Sequence, residues 1–175
     1  MPIKSHIRTI PHHPKPGVMF RDITTLLKDA TAFNLTINRL ADRYREAPVD
    51  LVAGIEARGF ILGSALAFAL GKGFVPIRKK GKLPGRTLSA QYALEYGVDS
   101  IEIHVDAIEA GQRVLLVDDL IATGGTALGA VHLVEQSAGV IHECCFIVDL
   151  PDLGGMARVK ERGLACFALT TFDGE

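Results

Sequence analysis

One stretch constrains this chain more than any other. From Arg113 to Ala127 the sequence reads RVLLVDDLIATGGTA: four apolar residues, two adjacent carboxylates, a short loop, then Thr-Gly-Gly-Thr opening a helical pattern. The apolar run reads as a strand buried on both faces, which suits a parallel sheet covered by helices. Gly124 and Gly125 permit backbone conformations closed to other residues, so successive N–H groups can converge on an anion. The helix N-terminus adds positive potential there, and the hydroxyls of Thr123 and Thr126 add donors. A phosphate fits such a nest. Asp118 and Asp119 share the sign of its charge and cannot bind it, but they can accept hydrogen bonds from vicinal hydroxyls beside it. A phosphate next to a diol describes a ribose 5-phosphate. No Lys follows the glycines, and neither GxxxxGK[ST] nor GxGxxG occurs, so ATPase and dinucleotide-binding readings drop away. The plain alternative is an acidic turn before a glycine-rich helix start; the ordered combination of all the parts outweighs it.

Elsewhere strands and helices alternate. From Thr31, read as an N-cap, Phe33, Ile37, Leu40, Ala41 and Tyr44 recur at helical spacing opposite Asn34, Asn38, Asp42 and Arg45, and Pro48 closes the segment. Leu51 to Ile55 reads as a buried strand, Phe60 to Leu70 as a helix stopped by Gly71, and Phe74 to Ile77 as a strand, which makes a βαβ unit. Strand Val114 to Val117, helix Thr126 to Gln136, strand Val140 to Val148, helix Leu153 to Arg162 and strand Leu164 to Leu169 follow. Prolines crowd residues 2 to 17, which predicts an extended arm or loop rather than a helix. Lys79 to Arg86 is basic and punctuated by Gly and Pro, and Tyr92 to Glu95 with the alternating Ile101 to Val105 predicts a mobile β hairpin, a flap. The fold class is α/β: a mainly parallel sheet flanked by helices, with ligands beyond the carboxyl ends of its strands.

With 175 residues, one domain is expected over 1–175, and 48% apolar residues supply a substantial core. Nineteen Lys and Arg against twenty Asp and Glu leave a formal charge of -1, so no global basic field exists to hold a nucleic-acid backbone, and an anionic ligand has to be met locally. The uncharged stretch Gly59 to Gly71 is too short to cross a bilayer, and Met1 to Ile10 lacks the apolar run of a signal peptide, so no membrane partner and a cytoplasmic location are expected. Cys144, Cys145 and Cys166 have no metal-ligand spacing and read as buried free thiols, and the six histidines show none either.

Asp-Asp followed by TGGT at this spacing closely resembles the phosphoribosyl diphosphate (PRPP) motif of the type I phosphoribosyltransferases. Four further segments carry a resemblance, over nearly the whole chain, to the adenine branch of that family: PGVMFRDIT (Pro16 to Thr24), EARGF (Glu56 to Phe60), IRKKGKLPG (Ile77 to Gly85) and YALEYG (Tyr92 to Gly97). The resemblance implies the type I fold, with a small N-terminal arm or hood over about 1–30 and the mobile flap over about 79–105. It also implies purine salvage: transfer of the phosphoribosyl group from PRPP to adenine, giving AMP and diphosphate, with Mg²⁺ carried mainly by PRPP, no protein metal site, and a homodimer.

Residue by residue, the resemblance implies that Ala122, Thr123, Gly124, Gly125 and Thr126 hold the phosphate and Asp118 and Asp119 the ribose. Arg58, Arg78, Lys79 and Lys82 are implied at the diphosphate, part of this basic cluster serving the neighbouring subunit, together with a cis peptide at Glu56-Ala57. The backbone of Met19 and Arg21 would recognise the adenine edge, and Leu120 would cover a ring face. Glu95 would be the acid/base group near adenine N7. From pattern alone, Met19 and Phe20 read as core, Arg21-Asp22 as a surface ion pair, the basic segment as a solvated loop, and Glu95 as a solvent-facing strand carboxylate. A phosphoribosyltransferase for another base, or a PRPP or AMP sensor without catalysis, are the competing readings. The adenine-type arm and flap speak against the first, and Arg58, the flap and Glu95 against the second.

Overall fold

Val114 to Val117 and Cys144 to Val148 are buried without a polar interruption, so the strands that carry them have to lie in the middle of a sheet covered on both sides. The structure, a computed structural model, describes residues 2–94 and 97–174. A 3₁₀ turn at Ile3–His6 precedes β1 (Arg8–Pro11), β2 (Met19–Asp22), α1 (Thr24–Lys28), α2 (Ala30–Tyr44), β3 (Leu51–Ile55), α3 (Arg58–Leu70) and β4 (Gly73–Lys79). Then come β5 (Thr87–Ala93), β6 (Val98–His104), β7 (Arg113–Ile121), α4 (Gly125–Gln136) and β8 (Val140–Asp149). A second 3₁₀ turn (Pro151–Leu153), α5 (Gly155–Glu161) and β9 (Cys166–Thr171) complete the order.

The large sheet has the order β5-β6-β4-β3-β7-β8-β9, and β1 pairs with β2 in a separate two-stranded sheet. Strands β4, β3, β7, β8 and β9 are parallel, while β6 joins β4 antiparallel and β5 joins β6 the same way. From β3 the chain winds outward to β4, and from β7 it winds the other way to β8 and β9. The direction reverses between β3 and β7, and the carboxyl ends of those two strands therefore flank the crevice where an open α/β sheet takes its ligand.

Strand alternation divides the interior into two cores. Leu115, Val117, Cys145 and Ile147 face Leu40, Leu62 and Leu66, whereas Val114, Leu116, Cys144 and Phe146 face Ala130, Val131 and Leu133. The adjacent cysteines thus belong to opposite faces of one strand. Both are buried free thiols and Cys166 is half-buried; burial pushes the Cys145 thiol up to about 12, which keeps it from acting as a nucleophile. A bidentate pair ties α2 to β8: Arg43 donates to both carboxylate oxygens of Glu143 at 2.9 Å, and the Tyr44 hydroxyl donates to the same group.

Several expectations change in detail. Asp29, not Thr31, caps α2, accepting from Thr31 N and Ala32 N at 2.9 and 3.0 Å; its carboxylate is the stronger acceptor, and Thr31 already lies within the first turn. The N-terminal arm is a 3₁₀ turn followed by a hairpin, and α1 lies within it. Strand β7 runs on to Ile121, so the two Asp residues are inside the strand rather than after it. The predicted helix from Leu153 divides into the 3₁₀ turn and α5. The strands of the expected hairpin are longer than predicted and extend the main sheet: Ala90, Tyr92, Ile101 and Ile103 are buried, and Tyr92 and Ile101 pack on α4 at Gly129.

The Arg21-Asp22 ion pair is replaced by another. Asp22 lies directly across from Arg8 in the β1/β2 register and accepts from its guanidinium at 3.0 Å and from Thr24 N at 2.9 Å. Burial pushes the Asp22 carboxyl up, but these bonds outweigh burial and hold it at about 2. A carboxyl lowered in the folded state stabilises fully above its ordinary value and less as pH falls towards the folded value. Asp22→Asn should therefore flatten the loss of thermal midpoint between about pH 4 and about pH 2, against the wild type; an acid limb of unchanged slope would refute the assignment.

Candidate active site

The end of β7 brings two like charges together, and the chain around it has to manage them. Alternation sends Asp118 and Asp119 to opposite sides of the strand. Asp119 is 4% exposed and forms an ion pair with Arg58, the first residue of α3. Asp118 accepts from Asp119 N at 2.8 Å. Burial, and then the neighbouring Asp119 charge, push the Asp118 carboxyl well above the usual carboxylate range. Desolvation opposes the charge on Arg58, but Asp119 and Asp118 more than restore it, so the guanidinium is held ionised. Gly59 makes the approach of α3 possible: a Cβ there would meet Val117 O at 2.8 Å and Asp118 Oδ1 at 3.0 Å.

Beyond β7, Ala122 and Thr123 lead into Gly124, whose φ of 86° is left-handed, and Gly125 opens α4. With glycine at the N-cap, no side chain covers the first N–H groups of the helix. The loop is braced from behind. Gly155 N donates to Ala122 O at 2.9 Å, Arg158 donates to Thr123 O at 2.6 Å, and a Cβ on Gly155 would come within 2.4 Å of Ala122 O.

Three cavities converge here, and Arg58 lines them all. The first, about 180 Å³, is the nest itself, bounded by Asp118, Asp119 and the segment from Leu120 to Ala127. A second, about 460 Å³, lies between Glu56, Ala57, Lys79, Tyr92, Asp118, Asp119 and Thr126. The third, about 500 Å³, is apolar: Val18, Met19, Phe20, Arg21, Leu94, Leu120, Ala122, Thr123, Leu150 and Leu153 surround it.

Most residues singled out in the sequence meet here. Met19, Arg21 and Leu120 line the apolar cavity; Arg58 and Lys79 reach the second; Ala122 to Thr126 form the first. Met19 and Phe20, which pattern alone assigns to the core, are half-buried in the cavity wall, and the Arg58 guanidinium lies 5.6 Å from the Phe20 ring centre. Arg78 and Lys82 are not among the residues lining these cavities. Arg78 is held by Glu56, donating to its oxygens at 3.2 and 2.9 Å, and that contact keeps the Glu56 carboxyl below its ordinary value. The peptide Glu56-Ala57 is cis. Glu95 lies outside the described residues; Leu94 before it is part of the apolar wall. Sequence reasoning missed Tyr92, Leu150, Leu153 and Gly155. The pair Gly154-Gly155 just after the β8 strand was the available signal, since a strand neighbouring β7 ends beside the same crevice.

A side chain at Gly124 would need a positive φ and would press on the backbone of Gly155, 3.0 Å from its Cβ. Gly124→Val should weaken together the AMP and PRPP binding that the resemblance implies, by about tenfold or more, the scale of a left-handed β-branched residue, as read by titration calorimetry. Unchanged affinity in a folded variant would mean that the phosphate lies elsewhere.

Comparison with known proteins agrees with this geometry. The phosphoribosyl transferase domain family matches residues 24–160. The adenine phosphoribosyltransferase of Chlorobium luteolum is 63% identical over the full length of both chains. Among solved structures, the adenine phosphoribosyltransferase of Thermoanaerobacter pseudethanolicus is 51% identical, covering 97% of this chain and 98% of its own, with a TM-score of 0.92. That of Saccharomyces cerevisiae, complexed with an imino-altritol bisphosphate and adenine, is 39% identical over 96% of each chain, with a TM-score of 0.89. With a glycine-rich helix start, a polar cavity and an apolar cavity meeting at Arg58, and with this likeness running from end to end, the chain belongs to the phosphoribosyl transferase family, in its adenine phosphoribosyltransferase branch.

Proposed function

We propose that the chain transfers the 5-phosphoribosyl group of PRPP to adenine, releasing diphosphate and forming AMP, as a purine-salvage enzyme. One observation carries the reading: a glycine-rich nest suited to phosphate, a polar cavity with Arg58 and Lys79 in its wall, and an apolar cavity of about 500 Å³ all share Arg58, and the first two also share Asp118 and Asp119. The yeast relative, crystallised with adenine, supports the choice of base.

Adenine N9 attacks C1 of the ribose while the C1–O bond to diphosphate breaks, with inversion and a transition state of oxocarbenium character, and the proton that adenine loses would pass from N7 to the Glu95 carboxylate. The loop from Ala122 to Thr126 would hold the 5-phosphate, and Asp118 and Asp119 would accept from the ribose hydroxyls. Arg58 and Lys79 would face the leaving diphosphate, the first as a planar fork and the second as a point charge. In the base cavity Leu120 would cover one ring face. The β1/β2 sheet has only two strands, so one edge of β2 keeps main-chain donors and acceptors free of ladder bonds. Met19 and Arg21 of β2 line the base cavity and their backbone would recognise the adenine edge, while the Arg21 guanidinium is engaged with Thr9 at 2.7 Å. Closure over the site would exclude the water that competes for C1.

Mg²⁺ fits as a companion of PRPP. The carboxylates of Asp118 and Asp119 stand beside the place proposed for the ribose. Oxygen donors of this kind would suit a hard cation that arrives with PRPP, with Asp118 and Asp119 the carboxylates at hand. When bound, it would neutralise the leaving group.

A homodimer belongs to the same proposal. Phe68 is 89% exposed and Ile61 45% on α3, an apolar surface suited to a second copy, and Arg78 and Lys82, away from their own cavity, would then serve the neighbour. Sedimentation at assay concentration tests this, since a stable interface would bury at least ~1,000 Å² and a fully active monomer would refute it. Among the described residues no helix is long and apolar enough to cross a membrane; a cytoplasmic setting is supported by three free thiols.

Incubation with Mg-PRPP and each base in turn tests the reaction. AMP should form from adenine, with hypoxanthine and guanine far poorer, and equal turnover of a 6-oxopurine would overturn the choice of base. The flap carboxylate Glu95 would favour the positive charge that develops on the purine as N9 attacks. Glu95→Gln should then lower the single-turnover rate by roughly 10²–10⁴-fold with little change in PRPP affinity; a normal rate would remove Glu95 from the reaction.

A further inference from the structure

The base cavity has two walls far apart in sequence: the β2 strand, with Met19 and Arg21, and the connection after β8, with Leu150 and Leu153. The residues that follow β9 touch both. Phe172 is buried, and its ring carries the Arg21 guanidinium 4.5 Å from its centre and the Lys4 ammonium at 4.6 Å. Arg21 also donates to Thr9 Oγ1 at 2.7 Å and to Asp173 O at 3.3 Å, while its Nε is buried without a hydrogen-bond partner, so the guanidinium is held between its own hairpin and the ring and backbone of the segment after β9. Towards the other wall, Phe172 N donates to Asp149 O at 3.1 Å and Gly174 N to Asp152 Oδ2 at 2.7 Å. A two-stranded sheet is marginal by itself, and the position of β2 therefore depends on what it is clipped to. A guanidinium stacked on an aromatic face has both a distance and an orientation, which makes the ring a spacer between the walls.

We propose that the segment Phe172 to Gly174 is a strap that sets the separation of the two walls of the base cavity, with Phe172 a positioning residue for the acceptor base. The inference rests on the base cavity assigned above. It separates the substrates: the hydrogen bonds and ring contacts described for the strap go to Lys4, Arg21, Asp149 and Asp152, none of which lines the nest, so its loss should be felt by adenine more than by PRPP.

The test varies adenine and PRPP separately in steady-state kinetics of the full chain. Phe172→Leu keeps apolar volume and loses the flat face. It should raise the KM for adenine by about five- to tenfold, the scale of one stacked cation, with the KM for PRPP within about twofold. Phe172→Tyr, which keeps the face, should restore the adenine KM. Arg21→Lys, which keeps charge but loses the planar contact, should raise it in the same direction. If the adenine KM is unmoved in Phe172→Leu, or if both KM values rise together, Phe172 is a packing residue and the strap is refuted. Should Phe172→Leu fail to fold, Arg21→Lys decides, and an unmoved adenine KM there refutes the strap as well. Wild-type turnover of adenine is measured first: its absence overturns the function and the strap with it, whereas an active wild type with unmoved variant KM values overturns the strap alone.

Discussion

The ion pair between Arg58 and Asp119 is the contact on which the site is built. Two carboxylates at the end of one strand repel each other and would not stay ionised side by side without a cation close to one of them. Arg58 supplies that cation from the first position of α3, and Gly59 lets the helix come close enough for it to do so. One side chain thereby fixes the approach of α3 to β7, pairs with Asp119, and lines all three cavities. The cost of burying it is offset by the carboxylates around it, in keeping with a guanidinium that stays charged in a half-buried place.

The sheet explains why the site lies where it does. Reversal of winding between β3 and β7 opens a crevice at their carboxyl ends, and the chain uses both edges of it: Glu56 to Arg58 follow β3, and Asp118 to Thr126 end β7 and begin α4. The connection after β8 supplies a second layer, since Gly155 and Arg158 support the nest without lining it. The base cavity is closed by a hairpin outside the sheet, so its shape depends on long-range packing in a way that the nest does not.

That difference decides how much was legible in the sequence. The nest is local: apolar run, carboxylates and TGGT are contiguous, so their spacing predicts their geometry. Strands β3, β7 and β8 were readable for the same reason, as apolar runs bounded by polar or glycine residues. What escaped was set by distant partners. Asp22 takes Arg8 rather than Arg21 because the hairpin register places Arg8 across from it. Phe20 and Met19 look like core residues, since any half-buried apolar side chain does when its cavity is made by residues more than a hundred positions away. Arg78, read as part of a basic cluster, is held by Glu56 from the end of β3. Glu95, whose role comes from family likeness alone, lies outside the described residues.

The one-sided placement of the site also divides the chain for protein engineering. Connections at the carboxyl ends of the strands are in close contact: the Gly124 turn presses on Gly155, and a Cβ on Gly125 would meet Ala93 O at 2.7 Å. At the opposite ends the chain has room. A Cβ added at Gly71, between α3 and β4, or at Gly163, between α5 and β9, would meet nothing within 4 Å, and both turns are remote from the three cavities. Reporter domains, affinity tags or new chain termini belong at the Gly163 turn, where added length hangs from the floor of the molecule, away from the cavities and from the exposed apolar face of α3 that ends at Gly71.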